Sequence, residues 1–153
     1  MIELKPLVER IVDSGFPELK QVRICAFYVP YPIRKAFLCF GRNNRNKYAI
    51  KVCPSLKNVS EGVLTGGLAH ELAHILGEVS LDDSSSKSYF RLCRTYSWYQ
   101  TLHERSTDLT VVKRGFAKQL LEFVIYVEQR REPYQKKDCL TQRELRAIIR
   151  GLE

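Results

Sequence analysis

Apolar residues near the start of the chain recur every three or four positions, which is the spacing of a helix. The residues concerned are Leu4, Leu7, Val8, Ile11 and Val12. Pro6 lies in the first turn, where its missing N–H group costs little. We therefore predict an amphipathic helix over residues 3–14 that ends at Gly15.

Three short runs of β-type composition follow this helix. They lie at Val22–Val29, Lys35–Phe40 and Lys47–Val52. The turn-rich segment 41–46 predicts a hairpin connection between the second and third runs, and Pro54 closes the third. The sequence thus predicts three strands in a small antiparallel or mixed sheet.

Helical spacing returns at Ser60 and continues almost to the end of the chain. Ser60 is a suitable N-cap for a helix over residues 61–77, and a polar loop is predicted at Leu81–Lys87. Tyr89–Lys113 is predicted as one long helix or as two in series. A helix over Phe116–Arg131 follows, and Pro133 ends it. The capping-box sequence Thr141–Glu144 opens a last helix. A helix, a small sheet and then helices make an α+β fold, and the length suits a single domain over 1–153.

The composition is that of an ordinary globular protein, with 44% apolar and 27% charged residues. No apolar run is long enough to span a bilayer, and residues 1–15 do not resemble a secretory signal, so we expect a cytoplasmic protein with no membrane partner. The five cysteines are odd in number and contain no C-x-x-C pair, which favours reduced, mostly buried thiols. The net charge of +8 suits a nucleic-acid partner, but the basic residues are spread along the chain, which favours a solvated basic face.

The sequence His70-Glu71-Leu72-Ala73-His74 has the spacing of a metal site on a helix. The two histidines are four positions apart, so both imidazoles can reach one tetrahedral ion. Glu71 lies about 100° further round the helix, where its carboxylate can take a proton from a water molecule activated by zinc. Two of the three histidines in the chain belong to this motif. The alternative interpretation is a pair of histidines that bond other side chains on a buried helix face.

Three glycines, Gly66, Gly67 and Gly77, flank the histidines on the same predicted helix. A glycine inside a helix costs about 1 kcal/mol relative to alanine, so these glycines need a reason. Room for a substrate beside the metal and close packing of a second helix are both compatible with the sequence.

A catalytic zinc with two histidine ligands needs at least one more protein ligand. Glu104 and Asp108 are four positions apart on a predicted helix and therefore share a face. Glu104 is the candidate third ligand, and Asp108 can accept a hydrogen bond from the outer ring nitrogen of His70 or His74. His103 is expected to turn partly aside on a helix that presents Glu104 and Asp108 to the metal. An exposed acidic helix face would have the same spacing.

H-E-x-x-H followed by E-x-x-x-D on a later helix resembles the gluzincin branch of the zincin metallopeptidases. The short interval from His74 to Glu104 is similar to that of the minigluzincins in particular. The resemblance rests on these two motifs and on the order of elements over residues 35–130. It implies an active-site helix, a second helix that carries the glutamate, and a small sheet whose edge strand lies over the cleft. By that analogy the edge strand is Lys47–Val52, where Tyr48, Ala49, Ile50, Lys51 and Val52 would pair with an extended peptide.

Two other zincin branches fit the sequence less well. Metzincins have a histidine or aspartate six residues after the second histidine, where this chain has Ser80, although Gly77 matches. SprT-like proteases take a third histidine from further downstream, and only His103 remains for that position. The donor that stabilises an oxyanion would be a tyrosine or an arginine, and the candidates are Tyr99, Tyr126, Tyr134 and Arg105.

These observations lead us to expect a zinc-dependent metallopeptidase acting on a peptide or protein substrate. Zn²⁺ would be bound by His70, His74 and Glu104, with Glu71 as the general base. The alternative is a non-proteolytic, zinc-containing module of the same fold that binds nucleic acid or a protein partner. The basic tail from Glu132 to Glu153 is expected to complete the core as a C-terminal helix or to fold over the cleft as an inhibitor.

Overall fold

The structure, a computed structural model, describes residues 1–33, 37–44, 47–81, 83–130 and 138–153. Within these ranges the chain forms three strands and six α-helices. In chain order they are α1 (Leu4–Gly15), β1 (Arg23–Tyr28), β2 (Leu38–Asn44), β3 (Lys47–Val52), α2 (Glu61–Val79), α3 (Asp83–Thr95), α4 (Ser97–Lys113), α5 (Ala117–Gln129) and α6 (Gln142–Leu152). The prediction of an α+β fold with a helical C-terminal half is confirmed.

The sheet is mixed, and β3 is its central strand. The strand order is β1-β3-β2, with β3 parallel to β1 and antiparallel to β2. The expectation that Lys47–Val52 is the edge strand is therefore wrong, because both edges of its backbone are already paired. The side chains of Tyr48, Ala49, Ile50 and Val52 are buried, which is typical of a strand covered on both faces. In the described sheet β1 and β2 are the two edge strands, and β2 is the one that lies next to α2.

The boundaries of the other strands differ modestly from the prediction. β2 continues to Asn44 instead of ending at Phe40, so part of the expected hairpin turn is strand. The register between β2 and β3 shifts between Arg42 and Asn44, and such a bulge is common in a strand at the edge of a sheet. Residues 35–36 of the predicted second strand and residues 45–46 of the predicted turn lie outside the described ranges.

Two helices, α3 and α4, occupy residues 83–113, where the sequence predicts a loop followed by one or two helices. α3 begins at Asp83, so the loop predicted at Leu81–Lys87 is wrong for most of its length. Aspartate and serine suit the first turn of a helix as well as a loop, because their side chains satisfy free N–H groups at a helix start. α3 and α4 are in series and separate at Tyr96. None of the helices in the described ranges is long and apolar enough to cross a membrane.

Both predicted helix caps are confirmed. The Ser60 hydroxyl accepts a hydrogen bond from the Val63 N–H group at the start of α2. Thr141 and Glu144 bond each other's backbone N–H groups at the start of α6, which is the expected capping box. α6 then packs against α5, and its Leu145 is fully buried in the core. The described part of the basic tail therefore completes the core as a C-terminal helix.

α2 lies at the centre of the fold and carries the predicted metal motif. It packs mainly against α5 and also contacts α1, α4, β2 and β3. Its side chains Leu64, Leu68, Leu72 and Ile75 are fully buried in a core cluster that extends from α1 to α6. A helix held from several sides keeps its remaining side chains in fixed positions, which is what a metal site requires.

Gly66 marks a close approach between α2 and α5. A Cβ atom at this position would lie 2.1 Å from the carbonyl oxygen of Gln119, which belongs to the backbone and cannot rotate away. We expect Gly66→Ala to lower the free energy of unfolding by about 1–3 kcal/mol or more, because the overpacked helices must move apart. Chemical denaturation of the purified variant measures this loss.

Gly77 offers the matched control on the same helix. A Cβ atom there would meet nothing within 4 Å, so Gly77→Ala should gain about 1 kcal/mol from the better helix propensity of alanine. Equal losses from the two substitutions would contradict the packing role of Gly66. Close helix packing thus accounts for Gly66, whereas room for a substrate beside Gly77 stays a prediction.

Candidate metal centre

α2 presents three side chains of the motif to one region of the fold. His70 and Glu71 are both buried, and the side chain of His74 is only 9% exposed. The leucines on the neighbouring faces of α2 hold the helix in the core, so these polar groups are fixed beside it. Buried polar side chains of this kind need partners, and α4 supplies most of them.

Glu104 of α4 meets both histidines at one point. The Nε2 atoms of His70 and His74 are 3.0 Å apart, and Oε2 of Glu104 lies 3.3 Å from each. Ligands held about 2.0–2.1 Å from a tetrahedral ion are separated by about 3.3–3.4 Å, so the three atoms have the spacing of three tetrahedral positions. Within the described ranges this is the one group of three such residues whose ligand atoms lie close together. His70, His74 and Glu104 can therefore hold a metal ion.

Asp108 fixes the orientation of His70. Its Oδ1 atom accepts a hydrogen bond from Nδ1 of His70 at 2.8 Å, which leaves Nε2 of the ring facing the metal position. Its Oδ2 atom accepts a hydrogen bond from the backbone N–H group of Leu140 at 2.7 Å. The Asp108 side chain is only 1% exposed, so both bonds are shielded from water. The predicted pairing of Asp108 with a metal-site histidine is thus present in the structure.

His103 holds the outer nitrogen of the other histidine. Its Nε2 atom lies 2.9 Å from Nδ1 of His74, and the Thr107 hydroxyl lies 3.4 Å from the same nitrogen. The sequence analysis expected His103 to turn partly aside, but a rotation of about 100° between neighbouring helix positions still lets a long side chain reach the outer edge of the site. Each metal-site histidine therefore has its own partner on α4. His103 is not part of the group that can hold the ion.

Hydrogen bonds between the histidines and the carboxylates of the centre shift their pKa values and favour the charged forms of His70 and Glu104. Burial lowers the pKa of His70, but hydrogen bonds with Asp108 and Glu104 outweigh it and raise the pKa well above its usual value. Burial raises the pKa of Glu104, but hydrogen bonds from His70 and His74 outweigh it and lower the pKa below its usual range. Burial and the neighbouring His74 lower the pKa of His103 to about 4, so this ring is neutral at pH 7 and can accept a hydrogen bond. Since Nε2 of His70 binds either a proton or a metal ion, the two must compete for it.

Glu71 lies beside this centre without belonging to it. Burial raises the pKa of its carboxyl group, and the nearby His70 and His74 lower it in part. A backbone hydrogen bond from Phe40 of β2 also favours the ionised form. The Phe40 ring stacks on His74, with ring centroids 5.7 Å apart and an interplanar angle of 21°. Glu71 is thus a buried carboxyl group held between the metal-site histidines and the edge strand.

An open cleft of about 730 Å³ gives access to these groups. Its walls come from four places: β2, the motif face of α2, the facing sides of α3 and α4, and the short segment at residues 138–139. β2 contributes Leu38, Cys39 and Phe40, and α3 contributes Tyr89 and Cys93. The alternation of a strand places Leu38 and Phe40 on the same face, so their approach to the cleft is a signal that the sequence carries.

The cysteines that line the cleft are neutral thiols. Burial raises the pKa of Cys39 and Cys93, and it raises the pKa of Cys139 to about 12. Since burial moves each pKa further above neutral pH, these thiols are protonated at pH 7 when no metal is bound. All five cysteines lie in the described residues and are free, as expected, but they are not mostly buried: Cys53 and Cys139 are buried, Cys39 and Cys93 are partly exposed, and Cys25 is exposed.

The described residues among the candidate oxyanion donors do not line the cleft. Arg105 is bonded to Glu144 and to the carbonyl group of Cys139, and the Tyr126 hydroxyl donates to the carbonyl group of Ser55. Tyr99 packs on Tyr89 instead of reaching the cavity, and Tyr134 lies outside the described residues. Tyr89 does line the cleft, and its ring is 4.7 Å from that of His103. It belongs to α3, where the sequence analysis had singled out no functional residue.

Comparison of this chain with protein-family models, with curated proteins and with solved structures finds no match. The interpretation of the centre therefore rests on its own residues and geometry.

Proposed function

We propose that this protein is a zinc-dependent metallopeptidase that cleaves peptide bonds in peptides or flexible protein segments. The observation that carries this proposal is the meeting of His70, His74 and Glu104 at tetrahedral spacing, with the carboxyl group of Glu71 beside them. The motif order and the ligand set resemble those of gluzincins, and the small size resembles the minigluzincins. The zinc would be held by the two Nε2 atoms and by Oε2 of Glu104.

The donor set favours zinc over other common ions. Two imidazoles and one carboxylate are typical of a catalytic zinc site, in which a fourth position is left for water or substrate. Calcium and magnesium prefer six or more oxygen ligands, which this site does not supply. The partners Asp108 and His103 would fix both rings with their Nε2 atoms toward the ion, as outer partners do in zinc sites. When bound, zinc supplies a Lewis acid that activates water and polarises a carbonyl group.

Glu71 would carry the proton during the reaction. Its carboxylate would accept a proton from the attacking water and then deliver it to the amine of the leaving peptide. Its burial and its bond from the Phe40 backbone keep it in one place, so little motion is needed at the moment of transfer. Tyr89, at the cleft wall, would act as the donor toward the developing oxyanion.

The peptide would pair with β2 instead of β3. β2 is one of the two edge strands of the described sheet, and its residues Leu38, Cys39 and Phe40 line the cleft. An extended peptide added to a strand edge gains backbone hydrogen bonds without needing a particular sequence. The substrate-binding strand proposed by analogy, Lys47–Val52, has no edge left for this role.

The second candidate is a zinc-containing module that binds nucleic acid without cleaving peptides. The observation in its favour is a row of exposed arginines on one face of α6, formed by Arg143, Arg146 and Arg150. Together with the net charge of +8, such a face would attract phosphate groups. Affinity for DNA that falls steeply as salt increases would favour this module, because phosphate contacts release counterions.

Metal analysis followed by digestion of a peptide library tests the proposed function. We expect the purified protein to contain a single zinc ion per chain and to cleave a subset of peptides. Cleavage should stop when a chelator removes the metal and should return when zinc is added. Stoichiometric zinc without cleavage of any peptide would contradict the peptidase and favour the binding module.

A further inference from the structure

The C-terminal segment reaches the metal centre through α4. One face of α4 carries Glu104 and Asp108 toward α2, and the adjoining face carries Thr101 and Arg105 toward residues 138–144. We call the contacts of Arg105 and Thr101 with residues 138–144 the C-terminal brace. Asp108 belongs to both faces, since one of its oxygens bonds His70 and the other bonds the Leu140 N–H group.

Four further bonds hold this segment on α4. Arg105 bonds the Glu144 carboxylate through both terminal nitrogens, at 2.5 Å and 3.4 Å, and its Nη1 also donates to the carbonyl oxygen of Cys139 at 3.3 Å. The Thr101 hydroxyl donates to the Asp138 carboxylate. Cys139 and Leu140 are buried, so the segment is also held by apolar contact. A two-pronged arginine–carboxylate bond fixes geometry as well as distance.

We propose that the C-terminal brace positions Asp108, so that the C-terminal segment is a part of the metal centre and sets its affinity for the ion. Arg105 and the Leu140 amide act as positioning groups, since neither touches the ion or a substrate. This inference rests on the proposed metal site, and it goes beyond it by assigning a role to residues 138–144.

The physical reason lies in the two bonds of a buried carboxylate. A carboxylate that is almost fully buried must have its oxygens satisfied, and Leu140 supplies the bond on the side away from His70. Without that bond Asp108 would turn toward other donors or water, and the His70 ring would lose its fixed orientation. Loss of an outer partner of a metal-site histidine typically weakens metal binding by about 10–100-fold.

Two variants loosen the brace in different ways. Arg105→Met removes the bonds to Glu144 and to Cys139 but keeps much of the apolar stem. Glu144→Gln is the milder variant, because glutamine can still form the capping box at the start of α6 while the charge pairing with Arg105 is lost. Arg146→Met makes the same chemical change as the first variant at an exposed position of α6 and serves as the control.

The measurement is the affinity for zinc alone, from competition with a chelator, with the absorption spectrum of bound Co²⁺ as a report on ligand geometry. We expect Arg105→Met to weaken zinc binding by about tenfold or more, the lower end of the range for outer partners. Glu144→Gln should weaken it less, and Arg146→Met should not change it. The Co²⁺ spectrum of Arg105→Met should shift, which a loss of stability alone would not produce.

A double-mutant cycle tests whether Arg105 acts through Asp108. In a protein that already carries Asp108→Asn, adding Arg105→Met should cost little further affinity, because the carboxylate it positions is gone. Equal losses in both backgrounds would overturn the proposal, and so would wild-type affinity in both brace variants. A wild-type protein that binds neither zinc nor Co²⁺ would overturn the metal site itself. If the wild type binds zinc but cleaves no peptide, and the variants lose zinc affinity as expected, the peptidase is overturned and the brace is supported.

Discussion

Replacing His74 with alanine is expected to abolish stoichiometric zinc binding. Nε2 of His74 is one of the three proposed ligand atoms. The His103 imidazole does not replace it, because it lies on the opposite side of the His74 ring, against Nδ1. A site left with His70 and Glu104 has too few protein ligands to retain the ion. The loss should exceed the roughly 10–100-fold cost of removing an outer partner. Zinc content after gel filtration, measured by mass spectrometry, gives the result directly.

His103→Ala is the matched control, since it removes a neighbouring imidazole from α4. The His103 ring contacts Nδ1 of His74, the nitrogen that faces away from the metal position. We therefore expect zinc to remain bound in His103→Ala, with an affinity weakened by about 10–100-fold. Glu104→Ala, in contrast, should lose the ion as His74→Ala does. If His103→Ala loses zinc completely while Glu104→Ala keeps a full equivalent, the third ligand is His103 and the SprT-like arrangement applies.

The candidate metal ligands are predictable from sequence because local spacing determines where they project. His70 and His74 are one helical turn apart, and so are Glu104 and Asp108, so each pair shares a face whatever the tertiary fold. The meeting of the two pairs is not a local property. It requires α4 to pack beside α2 in one orientation, and the sequence supported that arrangement only through its resemblance to a known family.

The position of Lys47–Val52 in the sheet is the point at which the resemblance to zincins gave a wrong prediction. The run Lys47–Val52 is apolar at adjacent positions, and Tyr48, Ala49 and Ile50 are all buried in the structure. A run without alternation is typical of a strand covered on both faces, which favours a central position. The resemblance to zincins predicts the opposite, an edge position for this strand. β2 is partly exposed over Cys39, Phe40 and Gly41 and has a register shift after Arg42, which suits a strand at the edge of a sheet.

The contacts around Asp108 lie beyond the reach of sequence patterns. Leu140 is separated from Asp108 by 32 positions, and Arg105 from Glu144 by 39. Nothing in the helical spacing of α4 indicates which later segment covers it. The capping box at Thr141 predicted the start of α6 correctly, but the position of that helix against α4 depends on the packing of the whole core.

Glu71→Gln is expected to remove peptidase activity while zinc stays bound. The carboxylate lies beside the two histidines and is not one of the three ligand groups, so the metal affinity should hardly change. Glutamine keeps the size of the side chain and can still accept the hydrogen bond from the Phe40 backbone, but it cannot take up a proton from water. General-base catalysis typically contributes about 10²–10⁴-fold, so kcat should fall on that scale. Cleavage of the best library peptide, followed by mass spectrometry, measures the loss.

Glu78→Gln makes the same change two turns further along α2, where the carboxyl group is also buried but is bonded to Arg42 at 3.4 Å. Burial raises the pKa of both glutamates, so the two variants remove similar buried acids from the same helix. A general loss of activity from disturbing α2 would appear in both variants, whereas loss of the catalytic base would appear only in Glu71→Gln. The melting temperature of Glu71→Gln should stay at or slightly above that of the wild type, because a neutral amide is less costly to bury than a carboxylate. Wild-type cleavage by Glu71→Gln at full zinc content would assign the base to another residue and remove Glu71 from the mechanism.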